Sequence, residues 1–177
     1  MTKENFRKQS FVKLKVSSKI GKIKKDKTVY YRIINIIDRY KPKNILLYIP
    51  LEAEVDVRPI INTLRKRDNC DVYVPFMRGK SFIPVKYRLP LKKKRFGIKE
   101  PNFSSFKNNK ILFDMVIVPI IGIDNTFRRV GFGAGMYDRY FETLKKRPIT
   151  IFTQLKLCYE NSTITNKYDI SPDYIIT

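Results

Sequence analysis

Gly131, Gly133 and Gly135 stand at alternate positions within five residues, in a chain that has only seven glycines. Each glycine costs conformational entropy on folding, so such a concentration marks a backbone that must bend or approach something closely. Here successive N–H groups can converge on an anion. Arg128 and Arg129 precede the loop, and Asp138 follows it where a helix should begin. Arginine, backbone amides and a carboxylate in that order suit a nucleotide phosphate cradle with a metal ligand at its exit. A flexible turn is the plainer reading of Gly-x-Gly-x-Gly. The apolar strand before it and the amphipathic helix after it favour phosphate. The segment is neither a P-loop, which needs Gly-Lys-Ser/Thr, nor a dinucleotide fingerprint.

Taken alone, Asp138 is explained as an acid that offsets the positive end of a helix. A metal role needs a second carboxylate, for which Asp169 and Asp173 are the candidates. Glu52, Glu54 and Asp56 follow the apolar run Ile45–Ile49 directly. Residues just beyond strand C-termini in a parallel sheet face the ligand crevice. Asp56 is accounted for as a helix cap, which leaves Glu54 as the acid to assign to a ligand.

The absence of histidine removes Ser-His-Asp and Cys-His catalysis and most zinc sites. Chemistry must then use carboxylates, Lys, Arg, Tyr and backbone dipoles, with or without a bound hard cation. Cys70 and Cys158 lack metal-type spacing and read as reduced, buried thiols. The 37 Lys and Arg against 16 Asp and Glu give a net charge of +21, which attracts polyanions. The charges are scattered, however, and solvated faces explain them better than a nucleic-acid surface. Lys22–Lys27 and Lys92–Arg95 are the local clusters. A hydrophobic content of 43% argues against disorder in spite of the charge. No apolar run approaches the roughly 20 residues that span a bilayer. The first residues lack the apolar core of a signal peptide, so a cytoplasmic location is expected. The 177 residues are expected to form one domain.

The elements that position these residues follow from periodicity. A short basic helix is expected over Lys3–Lys15, then a polar connector over Val16–Thr28. A helix over Val29–Tyr40, with an apolar face from Val29 to Ile37, ends before Pro42. Strand Ile45–Ile49 leads to a helix from Asp56 to about Arg67, and Asp71–Pro75 is the next strand. Ser81–Arg88 reads as an edge strand because Pro84 cannot donate to a ladder. Residues 89–110 read as irregular. Met115–Pro119 is the best central strand. The glycine loop comes next, then a helix over Met136–Lys146 and strands at Ile149–Thr153 and Tyr174–Ile176. Alternating strands and helices predict an α/β three-layer αβα sandwich on a mostly parallel sheet.

In this order the segments resemble the 5-formyltetrahydrofolate cyclo-ligase family. The resemblance starts with Lys3-x-x-x-Arg7 and continues through Tyr48-Ile-Pro-Leu-Glu-Ala-Glu-Val-Asp56. Phe96-Gly-Ile-Lys-Glu-Pro101 and Asp114-Met-Val-Ile-Val-Pro119 come next. The most specific block is Asp124 with Arg128-Arg-Val-Gly-Phe-Gly-Ala-Gly-Met-Tyr-Asp-Arg-Tyr140. Gln154 and Asp169-Ile-Ser-Pro-Asp-Tyr-Ile-Ile-Thr177 close it.

The resemblance implies a NagB/RpiA/CoA transferase-like version of the sandwich. It also implies ATP- and Mg2+-dependent closure of 5-formyltetrahydrofolate to 5,10-methenyltetrahydrofolate. Carried over by position, ATP would meet Lys3, Arg7, Arg129, Tyr137 and the loop Gly131, Phe132, Gly133, Ala134, Gly135 and Met136. Asp138 and Asp169 would hold Mg2+. Glu54, Phe132, Met136 and Tyr137 would border the folate, and Arg129, Tyr137 and Asp138 would serve the reaction. Surface lysines could attract the glutamate tail of a polyglutamylated substrate, and a monomer is expected. Three positions depart from the family pattern. Ala134 replaces Gly or Lys, Met136 a commonly aromatic residue, and Tyr168 a His or Asn. Two other functions compete with this one: a basic nucleic-acid-binding module, and a homologue that binds folate without turning it over.

Overall fold

A computed structural model describes residues 1–67, 69–93, 99–101 and 111–177. Its centre is β6 (Met115–Pro119), whose five residues are all buried. β6 pairs in parallel with β1 (Asn44–Leu46) on one side and β9 (Ile149–Thr153) on the other. Outside these lie β2 (Asp71–Arg78), parallel to β1, and β11 (Tyr174–Ile176), parallel to β9. β3 (Ser81–Lys86) closes the edge beyond β2 as an antiparallel hairpin, completing the six-stranded order β11-β9-β6-β1-β2-β3.

Strand alternation sends side chains to two cores. Ile45, Leu47, Met115, Ile117 and Ile151 pack with Leu14, Val29, Ile33, Ile60 and Leu64. These come from α1 (Lys3–Lys19), α2 (Lys22–Tyr40) and α3 (Arg58–Leu64). Leu46, Val116, Val118 and Phe152 face the other way, against Tyr137 and Tyr140 of α4 (Met136–Glu142). Two apolar faces, one covered by three helices and the other by α4, give the expected three layers and explain why β6 reads as a continuous apolar run.

Several expected boundaries move. The connector foreseen at Val16–Thr28 is helical nearly throughout: α1 runs to Lys19 and α2 starts at Lys22. Lysine is a good helix former, and its charge keeps an outer face wet without breaking the helix. The Lys25 ammonium also reaches back to the Ser17 and Ile20 carbonyls (3.2 and 3.1 Å), satisfying the end of α1. Asp56 serves α3 from one position earlier than a cap, accepting from the Arg58 amide at 3.0 Å, while Val57 is the N-cap and the helix stops at Leu64. β2 continues through Pro75 to Arg78, since Pro75 lies opposite Pro84 and beyond the reach of β1. The strand foreseen at Ile45–Ile49 is regular only to Leu46, although Leu47–Ile49 stay buried. α4 ends at Glu142 rather than near Lys146, with the Thr143 hydroxyl bonded to the Tyr140 carbonyl at 2.7 Å.

Within the stretch read as irregular, β4 (Leu91–Lys93) and β5 (Lys99–Pro101) pair antiparallel. The rest of the Phe96–Pro101 motif and of the Lys92–Arg95 cluster falls outside the described residues. A second sheet escapes sequence reasoning altogether: β7 (Gly122–Asp124), β8 (Arg129–Val130) and β10 (Tyr159–Glu160), in the order β10-β7-β8. It lies directly before the glycine loop and sets Arg129. No described helix is long and apolar enough to cross a membrane.

Candidate active site

Residues 131–135 leave β8 at the C-terminal edge of the main sheet and enter α4. Gly133 and Gly135 have φ of +106° and +59°, so both need glycine. A Cβ on Gly131 would lie 2.5 Å from the Arg129 guanidinium. Two arginines hold the loop by its carbonyls. Arg7 Nε donates to Gly131 O at 2.8 Å, and Arg139 donates to Ala134 O and to Lys80 O. In a trans peptide the next N–H points opposite to its C=O. Engaging these carbonyls therefore turns the Phe132 and Gly135 amides away from Arg7 and Arg139. Ala134 contributes through its backbone, so the lost side chain leaves this contact intact.

Arg129 is 4% exposed, which places a guanidinium in the interior. It is held by Asp138 Oδ2 at 3.1 Å, by Pro119 O at 3.4 Å, and by the Tyr137 ring 5.2 Å away. A cation so buried must be paired. Each member of this pair lines a different cavity, Arg129 one and Asp138 the other. One, of about 240 Å³, is walled mostly by apolar groups, including Tyr48, Met77, Phe82, Phe132, Met136 and Tyr137, and contains Glu54 and Arg129. The other, of about 350 Å³, is lined by Arg128, Asp138, Arg147, Lys167, Tyr168 and Asp169.

Glu54 is 7% exposed. Burial pushes its carboxyl up from 4.5 to about 7, against the Leu51 amide, Arg129 and Lys22, which all favour the ionised form. The Leu51 N–H donates to Oε2 at 2.8 Å. The hydroxyls of Tyr48 and Tyr137 are also raised by burial, with the Glu54 charge adding to the shift. An acid with a pKa so raised inside an apolar pocket marks the pocket as a candidate ligand site.

Asp138 Oδ1 is buried and has no hydrogen-bond partner. An orphaned carboxylate oxygen beside a polar cleft fits a cation. Asp169 lines the same cleft, but its oxygens take Lys3 Nζ at 2.6 and 2.7 Å and the Asn166 amide at 2.8 Å. Among the described residues there is no group of three or more His, Cys, Asp or Glu able to hold a metal. A cation here would therefore rely on phosphate oxygens and water for most of its shell, which is how Mg2+ is commonly bound. Asp173 is occupied elsewhere. It accepts from the Thr150 amide at 2.8 Å and pairs with Arg147 at 3.2 Å, tying β11 to β9.

Nothing in its local sequence marks the role of Asp124. It is fully buried and accepts from the Thr126 amide and hydroxyl, the Ile164 amide, and the Thr165 amide and hydroxyl. Burial alone would raise its carboxyl, but hydrogen bonds from Thr126, Thr165 and Ile164 outweigh it and hold the group far below the ordinary range. It pins the tail that carries Asp169. The pocket walls Pro75, Met77 and Phe82 were also missed, because they reach the site only through pairing of β2 with β3. Gln154 accepts from the Cys158 amide at 3.2 Å, with its Nε2 buried and unpaired. Both cysteines are free thiols, with Cys158 buried and Cys70 partly so.

A three-layer α/β fold that sets a glycine loop, a buried Arg–Asp pair and an apolar pocket with one near-neutral acid at its strand ends defines an enzyme acting on small molecules. The family model described as the 5-formyltetrahydrofolate cyclo-ligase family matches residues 1–176, and the chain belongs to that family. A relative in Haemophilus influenzae, named 5-formyltetrahydrofolate cyclo-ligase, is 26% identical over 148 residues, covering 80% of this chain and 76% of its own. The fold matches the NMR structure of Aquifex aeolicus 5,10-methenyltetrahydrofolate synthetase with a TM-score of 0.80 at 24% identity, covering 99% of this chain and 89% of that one. It also matches the 5,10-methenyltetrahydrofolate synthetase of Mycoplasma pneumoniae, with a TM-score of 0.74 at 23% identity over 99% and 98% of the two chains.

Proposed function

We propose that residues 1–177 act as one monomeric cytoplasmic domain that uses ATP and Mg2+ to close 5-formyltetrahydrofolate to 5,10-methenyltetrahydrofolate, releasing ADP and phosphate. The formyl oxygen attacks the γ-phosphate and ADP leaves. The second folate nitrogen then attacks the activated carbon, and phosphate departs as the ring closes. Such a reaction asks the protein for positioning and for charge against the transferring phosphoryl group, so a chain without histidine can perform it.

In this reading the folate occupies the apolar pocket. Its pterin N–H edge meets the Glu54 carboxylate, while Phe132, Met136 and Tyr137 border the rings. ATP lies along the loop, where Lys3, Arg7 and the amides of residues 131–135 receive its phosphates. Asp138 and Asp169 hold Mg2+, which supplies charge neutralisation of the phosphates when bound. Lys3 and Asp169 bind one another in the structure described, so phosphate and Mg2+ would share or compete for their remaining donors and lone pairs. Arg129, which lines the apolar pocket and pairs with Asp138 of the polar cleft, stabilises charge on the transferred group. The Arg129–Asp138 pair, whose arginine lines the apolar pocket and whose aspartate lines the polar cleft, is the observation that carries the reading.

The test is growth of the methenyl product's near-ultraviolet absorbance in mixtures that each omit one component. Product should form only with enzyme, ATP, Mg2+ and 5-formyltetrahydrofolate together. Absence of product at high enzyme concentration would refute the assignment, and folate binding without turnover would point to the non-catalytic homologue.

A further inference from the structure

The first turn of α2 reaches into the segment that carries Glu54. Lys22 Nζ donates to the Glu54 carbonyl at 2.6 Å. Asp26 Oδ1 accepts from the Asp56 amide at 3.0 Å. The two side chains bind each other at 3.1 Å and are 24% and 16% exposed. A Lys–Asp pair one turn apart on a helix surface ordinarily contributes little and touches nothing else. This pair instead spends its hydrogen bonds on main-chain groups some thirty residues away. The neighbouring Lys24 and Lys27 point to solvent in the ordinary manner.

We propose that Lys22 and Asp26 are positioning residues, a two-point clamp on the backbone either side of Val55 that aims the Glu54 carboxylate into the apolar pocket. The proposal rests on the reading of Glu54 as the folate ligand. Within its turn Glu54 is held through Leu51 (Leu51 N–H to Oε2, and the Glu54 amide to Leu51 O at 3.1 Å). On the sheet side the Tyr48 hydroxyl donates to Val55 O at 3.0 Å and meets Thr153 Oγ1 at 2.9 Å, which ties Val55 to β9. The clamp adds the helix side: it holds the Glu54 carbonyl and the Asp56 amide to α2, which is packed on the core through Val29, Ile33 and Ile37. A ligand carboxylate misplaced by an ångström loses most of its binding contribution, so such an anchor has a use.

Charge gives the clamp a second effect. Among the described residues, the ionisable groups that act on Glu54 are Arg129 from β8, Lys22 from α2, and the hydroxyls of Tyr48 and of Tyr137 on α4. Arg129 and Lys22 are the two cations that oppose the effect of burial. Removing Lys22 therefore shifts Glu54 ionisation toward higher pH.

The experiment compares Lys22→Met, Lys22→Arg and Glu54→Gln with the unmodified full chain. Lys22→Met should raise the KM for 5-formyltetrahydrofolate about ten-fold and leave that for ATP within about two-fold. It should also move the acid limb of kcat/KM for the folate to higher pH, and Lys22→Arg should restore that limb. A merely structural role would weaken both substrates together and leave the limb in place, which would overturn the proposal. An unchanged folate KM in Lys22→Met alongside a raised one in Glu54→Gln would overturn the clamp and leave the reading of Glu54 standing. An unchanged folate KM in Glu54→Gln would remove that reading and the clamp with it. Should Lys22→Met fail to fold, Asp26→Asn takes its place. It keeps an acceptor for the Asp56 amide but removes the charge that holds Lys22, and the same selective rise in folate KM is expected, its absence counting against the clamp.

Discussion

Replacing Glu54 with glutamine should make the protein more stable at alkaline pH while disabling it. The carboxyl is pushed from 4.5 to about 7 in the folded chain, so folding favours its protonated form. For a raised pKa the stabilisation is fully present below about pH 4.5 and is lost as pH rises through about 7. That interval corresponds to about 3 kcal/mol near pH 8, and to less than about 1 kcal/mol near pH 5, where little of the penalty has accumulated. A glutamine side chain there would resemble the protonated acid and keep an acceptor for the Leu51 amide. Urea titrations at the two pH values should show a gain of about 3 kcal/mol for Glu54→Gln near pH 8 that nearly vanishes near pH 5. The corresponding rise in melting temperature near pH 8 is roughly 5 to 10 °C for a chain of this size. A loss of stability near pH 8, or a gain equal at both pH values, would refute the argument that burial of this charge sets the shift. A gain in stability with a loss of folate binding would show that the carboxylate is retained at a cost in stability for the sake of the ligand.

Three further outcomes follow from the same geometry. kcat/KM for the folate should rise with pH through about 7 as Glu54 ionises, and a profile flat across that range would contradict its role. Gly131→Ala places a Cβ 2.5 Å from the Arg129 guanidinium and should lower kcat by at least about ten-fold with the circular dichroism unchanged, since Arg129 must move from Asp138. Lys3→Met should raise the KM for ATP at least about ten-fold while folate affinity, followed by calorimetry, stays within about two-fold; equal loss of both would count against a nucleotide role.

The parts legible in the sequence are those with a local cause. Met115–Pro119 declares itself as a central strand because both its faces are covered, and Pro84 marks its strand as an edge. Gly133 and Gly135 carry the positive φ that their clustering suggested. Glu54, singled out as the acid left unexplained beyond a strand, is the buried carboxylate of the pocket. What stayed hidden depends on long-range contact. Lys22 and Asp26 sit in a lysine-rich run that reads as solvated, and only packing of α2 turns them toward residues 54–56. β8 has two residues and β10 two, too few to show any period, yet the sheet they build with β7 fixes Arg129. The tail acid Asp169 was distinguished from Asp173 only by resemblance. The structure supplies the physical distinction: Asp173 ties down a strand, whereas Asp169 lines the cleft with Asp138.

One phosphoryl transfer at the Arg129–Asp138 junction is held to drive one ring closure. This coupling is tested most directly by following ADP release and methenyl absorbance in the same reaction with 5-formyltetrahydrofolate, ATP and Mg2+. One ADP is expected for each methenyl product, with both signals lost together in Asp138→Asn and in Asp169→Asn. ADP release without methenyl product, or methenyl formation without nucleotide turnover, would contradict it.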